Sequence, residues 1–487
     1  MSNAPVMPGV DALGELQNHF CLMNLGGELW VVDRKQVDRV KSGAQTGDIS
    51  FYKKVHGELL MKRHLEAQPI QSDVKMTINH FWVNPDTHVY DSVAFSPTSK
   101  APTTLNYWVG SLANPAPGDW SVIRTYLREV ICDEDIALYN YLVQYIAHML
   151  QHPEEKPGIV LVLLGRQGTG KGVFFQLLNS LWPKTTLLVS DVAQVLGQFN
   201  AALERHYVIC MDEALFNGDK KSLERLKSLV TEKTCHVEQK YQPARTIESV
   251  HRFVAASNNE HFAHVDADDR RFLFIRVSSK QQNSRKFFST LIAAIEDECT
   301  IGAMVYDLLR LDLRDFDVRM RPMTKEHGHQ KLQSLAGFDR YWFEALVTGN
   351  LVSTSAIADQ WSEPCFVSTD SLMVNYRDFD KNCGRYQPVQ SQEIAAAIKK
   401  LCPSAKPDRQ TVLHRAQRRG FALPEIGVAR SEFEVAYKCH VDWDGTERPA
   451  PDDELEITDW ASEAFWESDL FDCPTCQCLP HPLASAK

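Results

Sequence analysis

The segment Ile159-Val160-Leu161-Val162-Leu163-Leu164 is wholly apolar and runs directly into Gly165-Arg166-Gln167-Gly168-Thr169-Gly170-Lys171-Gly172. After it, Val173, Phe174, Phe175, Leu177 and Leu178 give the apolar spacing of a helix. A strand that is apolar on both faces must be covered on both faces, which calls for a parallel sheet flanked by crossover helices. The loop between strand and helix has the form G-x4-G-K. Glycines allow backbone N–H groups to turn inward around a phosphate, the helix N-terminus adds partial positive charge, and Lys171 can reach the β- and γ-phosphates. Gly165, Gln167, Gly168, Thr169, Gly170, Lys171 and Gly172 therefore form the expected nucleotide-binding set, with ATP and Mg²⁺ as the implied ligands. One position departs from the usual pattern. Gly172 stands where a Ser or Thr hydroxyl ordinarily holds Mg²⁺, so the metal must rely more on water and on acidic residues elsewhere.

Those acids are expected at the end of Tyr207-Val208-Ile209-Cys210-Met211-Asp212-Glu213, an apolar strand closing on two carboxylates 41 residues after Lys171. Asp212 is the candidate metal ligand, and Glu213 the candidate base for an attacking water. A third strand, His251 to Ser257, ends on Asn258, a side chain able to orient that water and sense the γ-phosphate. Asp268-Asp269-Arg270-Arg271 then leads into Phe272-Leu273-Phe274-Ile275. In an oligomeric ATPase an arginine at this place can enter a neighbour's site and stabilise transition-state charge. The sequence does not separate Arg270 from Arg271, and two surface charges before a strand is the plainer reading.

The net charge of −11 argues superficially against a nucleic-acid partner. Residues 441–487, however, carry 12 acidic and 2 basic side chains, which leaves the first 440 residues near neutrality. Local basic patches must therefore decide. No apolar run approaches the length of a membrane span, and Met1–Gly9 lacks the pattern of a secretory signal. The 12 cysteines show no framework spacing, which fits reduced thiols in a cytoplasmic protein.

Along the chain, Leu29–Val32 and His80–Val83 read as short β-like runs within residues 1–100. Trp120–Leu150 reads as two helices, the parallel α/β region extends from about Pro157 to Ser279, and Leu291–Leu311 is mostly helical. Residues 346–440 read as a small α/β domain with helices at Gln392–Lys400 and Arg409–Arg419 and a strand at Glu432–Tyr437. Residues 441–487 read as an acidic, mostly disordered tail.

The four motifs are compact, and together they resemble the superfamily 3 helicases, a branch of the AAA+ ATPases. Further segments resemble the primase-helicase family of phages, prophages and plasmids: Lys227-Ser228-Leu229-Val230-Thr231-Glu232, Val237-Glu238-Gln239-Lys240, Ala256-Ser257-Asn258-Asn259 and Asp269-Arg270-Arg271-Phe272. Pro117-Gly118-Asp119-Trp120, Leu311-Asp312-Leu313 and Lys331-Leu332-Gln333-Ser334-Leu335 fit the same pattern. This resemblance implies an α/β architecture: an AAA+ P-loop motor (156–300) with a parallel central sheet, preceded by a helical collar (101–155). A helical connection (301–345) and a winged-helix-like domain (346–440) come after it. It implies a ring, usually a hexamer, that moves on single-stranded or forked DNA. Residues 1–100 are an accessory region too short for a full primase-polymerase domain, so priming would need a separate chain. The resemblance also implies a DNA-contacting hairpin at Cys235–Thr246, with Lys240, Tyr241 and Arg245 as candidates. A solvated hairpin with ordinary charges is the alternative.

Two readings other than a helicase share the same phosphate loop: an AAA+ switch that assembles or remodels a nucleoprotein complex, and a defence NTPase that never unwinds. Cys473, Cys476, Cys478 and His481 could offer four ligands to zinc, although their spacing is cramped.

Overall fold

The computed structural model describes residues 11–41, 49–68, 72–99, 101–213, 220–240, 244–259, 262, 269–351, 361–382, 390–412 and 416–443. Tyr241, Asp268, the acidic segment from 444 onward and the Cys473–His481 cluster fall outside them. Among the described residues no helix is long and apolar enough to cross a membrane, and eight cysteines are free thiols.

Near the N-terminus, Phe20–Leu25 and Glu28–Asp33 form an antiparallel hairpin closed by Gly26 and Gly27, both at positive φ (61° and 88°). The β-like run at Leu29–Val32 is therefore a strand. His80–Val83 is not. It ends a helix, Val74–Val83, whose N-cap Asp73 accepts from Met76 N and whose Ile78 and Phe81 are buried three residues apart. Four residues are too few for alternation to be told from a helical stripe. The N-terminal region does not have a core wholly its own: Trp30, Val32, Tyr90 and Phe95 cluster with the collar and the central sheet.

The helical region before the central sheet begins with Trp120, whose indole N–H donates to Asp307. Ser121–Thr125 continues into a π-helical turn, Tyr126–Ile131, before helix α1 (Ile136–Gln151), capped by Asp135. Five parallel strands come next: β1 (Val160–Leu164), β2 (Thr186–Val189), β3 (Val208–Met211), β4 (Arg252–Ser257) and β5 (Phe272–Arg276). They lie in the order β5–β1–β4–β3–β2. Every residue of β1, β3 and β4 is buried, as the apolar runs require. Helix α2 (Lys171–Leu181) follows β1, and α3 (Arg285–Glu296) follows β5.

A second core belongs to the C-terminal unit. Its elements run α4 (Gly337–Thr348), β6 (Cys365–Ser368), α5 (Thr369–Asn382), α6 (Ser391–Leu401), β7 (Lys406–Val412), β8 (Ala416–Leu423) and α7 (Ile426–Tyr437). The three strands form an antiparallel sheet in the order β6–β8–β7. The helix expected at Gln392–Lys400 is α6. The helix expected at Arg409–Arg419 is instead the β7–β8 hairpin, and the strand expected at Glu432–Tyr437 lies in α7. From Asp408 to Thr411 and from Gln417 to Arg419 every residue is polar or charged, so apolar periodicity carries no information there. In Ile426–Tyr437, Ala429, Phe433 and Tyr437 are buried four apart, a helical stripe that a six-residue window conceals.

Candidate functional site

The strand order brings three sequence motifs together. Because β4 lies between β1 and β3, the C-terminal ends of all three are neighbours. The loop after β1, Asn258 after β4 and Asp212-Glu213 after β3 therefore meet at one end of the sheet. Lys171 Nζ donates to Asn258 Oδ1 at 2.8 Å, to Gly165 O at 2.6 Å and to Arg166 O at 2.9 Å. Burial lowers the pKa of the Lys171 ammonium, and the negative charge of Asp212 and Glu213 partly counters this. Both carboxylates are exposed. Glu213 adopts a left-handed backbone (φ 51°) with its N–H on Asp212 Oδ1 at 3.0 Å. A non-glycine residue held there is strained, as residues at functional sites often are.

The loop itself is shaped for an anion. Gly168 and Gly170 have φ of 79° and 101°. Helix α2 starts at Lys171 with no side-chain cap and no acidic residue in its first turn, which leaves its first N–H groups able to face a ligand. Thr169 does not compensate for the missing hydroxyl at Gly172, because its own hydroxyl is buried and donates to Arg166 O at 2.8 Å. No heavy atom lies within 4 Å of a Cβ placed on Gly172, so there is room for water. The residues present thus fit a nucleoside triphosphate with a cation on Asp212 and water.

Sequence reasoning missed the second wall of this site. Gln282 donates to Gln167 O at 2.8 Å and Asn283 N to Gly168 O at 3.0 Å. A Cβ on Gly168 would lie 2.1 Å from Asn283 Oδ1, and one on Gly170 would lie 2.7 Å from the Phe288 ring. Tyr126, fully buried in the π-helical turn, donates to Gly170 O at 2.9 Å. Lys280 pairs with Asp133 and Glu134 just beyond that turn. The π-helical turn and the segment after β5 thus both grip the glycine-rich loop. No local signal marks these residues, because only the sheet order brings them to it.

Arg270 and Arg271 precede β5 and so lie at the opposite end of the sheet, about 16 Å away along a five-residue strand. They line a cavity of about 870 Å³ with Lys156, Lys233, Ser249 and Arg319. The two arginines differ. Arg271 is tethered to buried Asp269, at 3.7 Å by its side chain and 2.9 Å by its N–H. Arg270 is exposed, and its side chain has no partner among the described residues. Its carbonyl is fixed by Arg321, which also donates to Asp269 O.

The expected hairpin is present, with Thr234–Val237 paired to Arg245–Glu248. Arg245, one of the expected DNA contacts, is held within its own chain. Its guanidinium grips Glu204 at 2.8 Å, with side-chain exposures of 13% and 5%. Burial raises the Glu204 pKa and Arg245 opposes the rise. Removing one partner of a buried pair costs about 3–5 kcal/mol. Arg245→Ala should therefore lose that much stability in denaturant titrations above neutral pH. The deficit should shrink as falling pH protonates Glu204. A variant as stable as the wild type at pH 8 would refute the structural assignment. Lys240 is exposed and lies 5.3 Å above the ring of Phe199, which is itself 49% exposed. Asn200, beside Phe199, ties this loop to the hairpin through His236 O and Glu238 N. Phe199 is thus an aromatic partner that sequence reading overlooked.

Residues 163–271 match a family of unknown function (DUF5906). Over 150 residues the chain is 25% identical to the DNA primase-polymerase of Nitratiruptor phage NrS-1, covering 30% of this chain and 21% of that protein. This chain therefore spans about a fifth of the length of that curated relative. The apo structure of the NrS-1 C-terminal region superimposes with a TM-score of 0.59 at 15% identity, covering 85% of this chain and all of that one. A second apo form of the region gives 0.58 at 15% identity, over 84% of this chain and 97% of that one. The chain is thus homologous in part to a phage replication protein and shares the mixed α/β fold of its C-terminal region.

Proposed function

We propose that this chain is an ATP-driven DNA translocase of the superfamily 3, AAA+ type, acting in phage-type DNA replication as a ring, with a hexamer expected. The convergence of Lys171, Asn258, Asp212 and Glu213 at one end of the sheet carries this reading. In that arrangement Lys171 and the α2 N-terminus hold the β- and γ-phosphates. Asp212 would hold Mg²⁺, directly or through water, Asn258 would orient the attacking water and Glu213 would accept its proton. Mg²⁺, when bound, neutralises charge between the phosphates. The arginines at the far sheet end are too distant to serve their own phosphate loop, so Arg270 is the group to complete a neighbour's site. The C-terminal unit, ordered α4–β6–α5–α6–β7–β8, is read as winged-helix-like. The relative's name, DNA primase-polymerase, supports a replication setting; priming by this chain is not part of the proposal.

The hairpin supplies the contact with single-stranded DNA. Lys240 offers a cation for phosphate and Phe199 a face for base stacking. A Lys240→Ala/Phe199→Ala variant should keep its DNA-independent ATPase rate, since neither residue belongs to the phosphate site. Its single-strand binding should weaken, with a salt dependence shallower by about 0.7 in log–log slope for the one phosphate no longer neutralised. Strand separation on a forked duplex should fall further than ATPase. The test is ATP-dependent unwinding of forks of both polarities, run beside a sizing measurement. Robust ATPase with no unwinding on any fork would replace the translocase by a remodelling switch.

A further inference from the structure

Helix α1 closes on His148 and His152, and Pro153-Glu154-Glu155 follows at once. The two histidines are four residues apart, so their rings share one helix face, with centroids 5.4 Å apart. Pro153 cannot continue the helix, and the turn it starts brings both glutamates back beside the histidines. His152 Nδ1 lies 3.9 Å from Glu154 Oε1. One ring nitrogen of His152 and one carboxylate oxygen each of Glu154 and Glu155 all lie within 4.8 Å of one another. Ligand atoms about 2.1 Å from one ion stand about 3–4 Å apart, so small side-chain adjustments close these three around a cation.

The two carboxylates lack an ordinary counter-charge. Neither Glu154 nor Glu155 pairs with a lysine or arginine among the described residues. Lys156, next in the chain, is turned away: its ammonium donates to Leu229 O, Glu232 O and Ser249 Oγ. The turn is also fixed from behind. Arg252, fully buried at the start of β4, donates to His152 O at 3.2 Å and to Glu155 O. His148 enters from the buried side. Its side chain is 5% exposed, its Nε2 lies 3.3 Å from Glu155 Oε2, and its Nδ1 is buried without a partner. Glu155 is thus the polar group at which this ring is aimed. Carboxylates that ligate metals are held by hydrogen bonds of this kind, which fix their orientation. The C-terminus of α1 adds partial negative charge at the same place.

We propose that His152, Glu154 and Glu155 form a site for a divalent transition-metal ion of the Zn²⁺ class, with His148 as a positioning residue that holds Glu155. The donor set decides the class. One imidazole and two carboxylates, without a thiolate, suit a borderline ion, whereas Mg²⁺ and Ca²⁺ take oxygen ligands. Three protein ligands leave a position for water. A cavity of about 1080 Å³, lined by His148, His152 and Glu155 among others, gives access to it. This site is separate from Asp212. Arg252 opens β4 and Asn258 follows its last residue, so a six-residue strand, about 20 Å long, lies between the turn and the glycine-rich loop. The inference therefore holds or fails independently of the nucleotide reading.

The test is calorimetric titration of the full chain with Zn²⁺, without nucleotide, after treatment with a chelator and its removal. All variants keep the same cysteines, so the difference between them counts this site alone. His152→Ala/Glu154→Gln should take up one Zn²⁺ fewer per chain than the wild type. Without metal its melting temperature should match the wild type, because both side chains are partly exposed, and Zn²⁺ should raise it less. His148→Phe keeps a ring in the buried seat and removes the donor. It should keep the stoichiometry and the metal-free melting temperature while losing roughly 10–100-fold in Zn²⁺ affinity. Excess Mg²⁺ should not displace the ion. Equal stoichiometry and affinity in the wild type and the double variant would overturn the proposal. Displacement by Mg²⁺ would also overturn it, since that marks a loosely held counterion. Wild-type affinity in His148→Phe would remove the positioning role.

Discussion

Glu213→Gln should bind ATP about as tightly as the wild type and hydrolyse it roughly 10²–10⁴ times more slowly, the usual contribution of a positioned general base. Lys171→Ala should instead lose both binding and turnover. The difference follows from the geometry. Lys171 is buried at the mouth of the loop with three oxygen partners, so its removal deletes the cation proposed to meet the phosphates and releases Asn258. Glu213 is exposed at the end of β3, and its left-handed backbone is held by the Asp212 carboxylate, so an amide can occupy the same place without disturbing the loop. Nucleotide titration by fluorescence and phosphate release measured on the same preparations separate the two effects. Wild-type hydrolysis by Glu213→Gln would remove that residue from the role of base.

The second large effect concerns the arginines before β5. Arg270→Ala should reduce ATPase by about 10³–10⁵, the range of an arginine supplied to a phosphoryl-transfer site, while leaving nucleotide binding nearly intact. Arg271→Ala should cost much less, because Arg271 is tethered to Asp269 in its own subunit. The two arginines and the glycine-rich loop stand at opposite ends of one sheet, which is why the proposal has the group act on a neighbour. Subunits carrying Arg270→Ala/Arg271→Ala retain an intact phosphate loop, and Lys171→Ala subunits retain intact arginines. Mixing them should restore part of the hydrolysis at the mixed interfaces. Verified mixed oligomers with no recovery would rule out action in trans.

The elements that were legible in the sequence are those whose patterns are local. The apolar runs of β1, β3 and β4 are buried at every residue, and burial on both faces leaves a signature that needs no context. The residues at their ends were readable for the same reason, since a glycine loop, a carboxylate pair or an asparagine that closes a buried strand stands out against it. The C-terminal hairpin was misread because Arg409 to Thr411 and Gln417 to Arg419 are polar throughout and exposed. With no apolar period in them, helix and ribbon were equally compatible with the sequence, and only pairing against β6 and the seat at Gly420 fixed the strand geometry. The pairing of Arg245 was hidden for a related reason. Its type suits DNA, but its partner Glu204 lies 41 residues earlier and becomes visible only when the chain folds.

The sequence by itself determined that this chain carries a G-x4-G-K loop after a buried strand and, at the ends of two further buried strands, a pair of acids and an asparagine. These depend on residue type and on spacing within a single element. The tertiary structure decided which of them share a site, because the strand order β5–β1–β4–β3–β2 is a property of the sheet and of no segment within it. That order sets Asn258 on Lys171, brings Gln282, Asn283 and Tyr126 onto the loop, and sends Arg270 to the far end of the sheet. The physical reason is that long-range pairing is chosen by burial of whole strand faces, and the few polar residues at the strand ends are carried to wherever that burial places them.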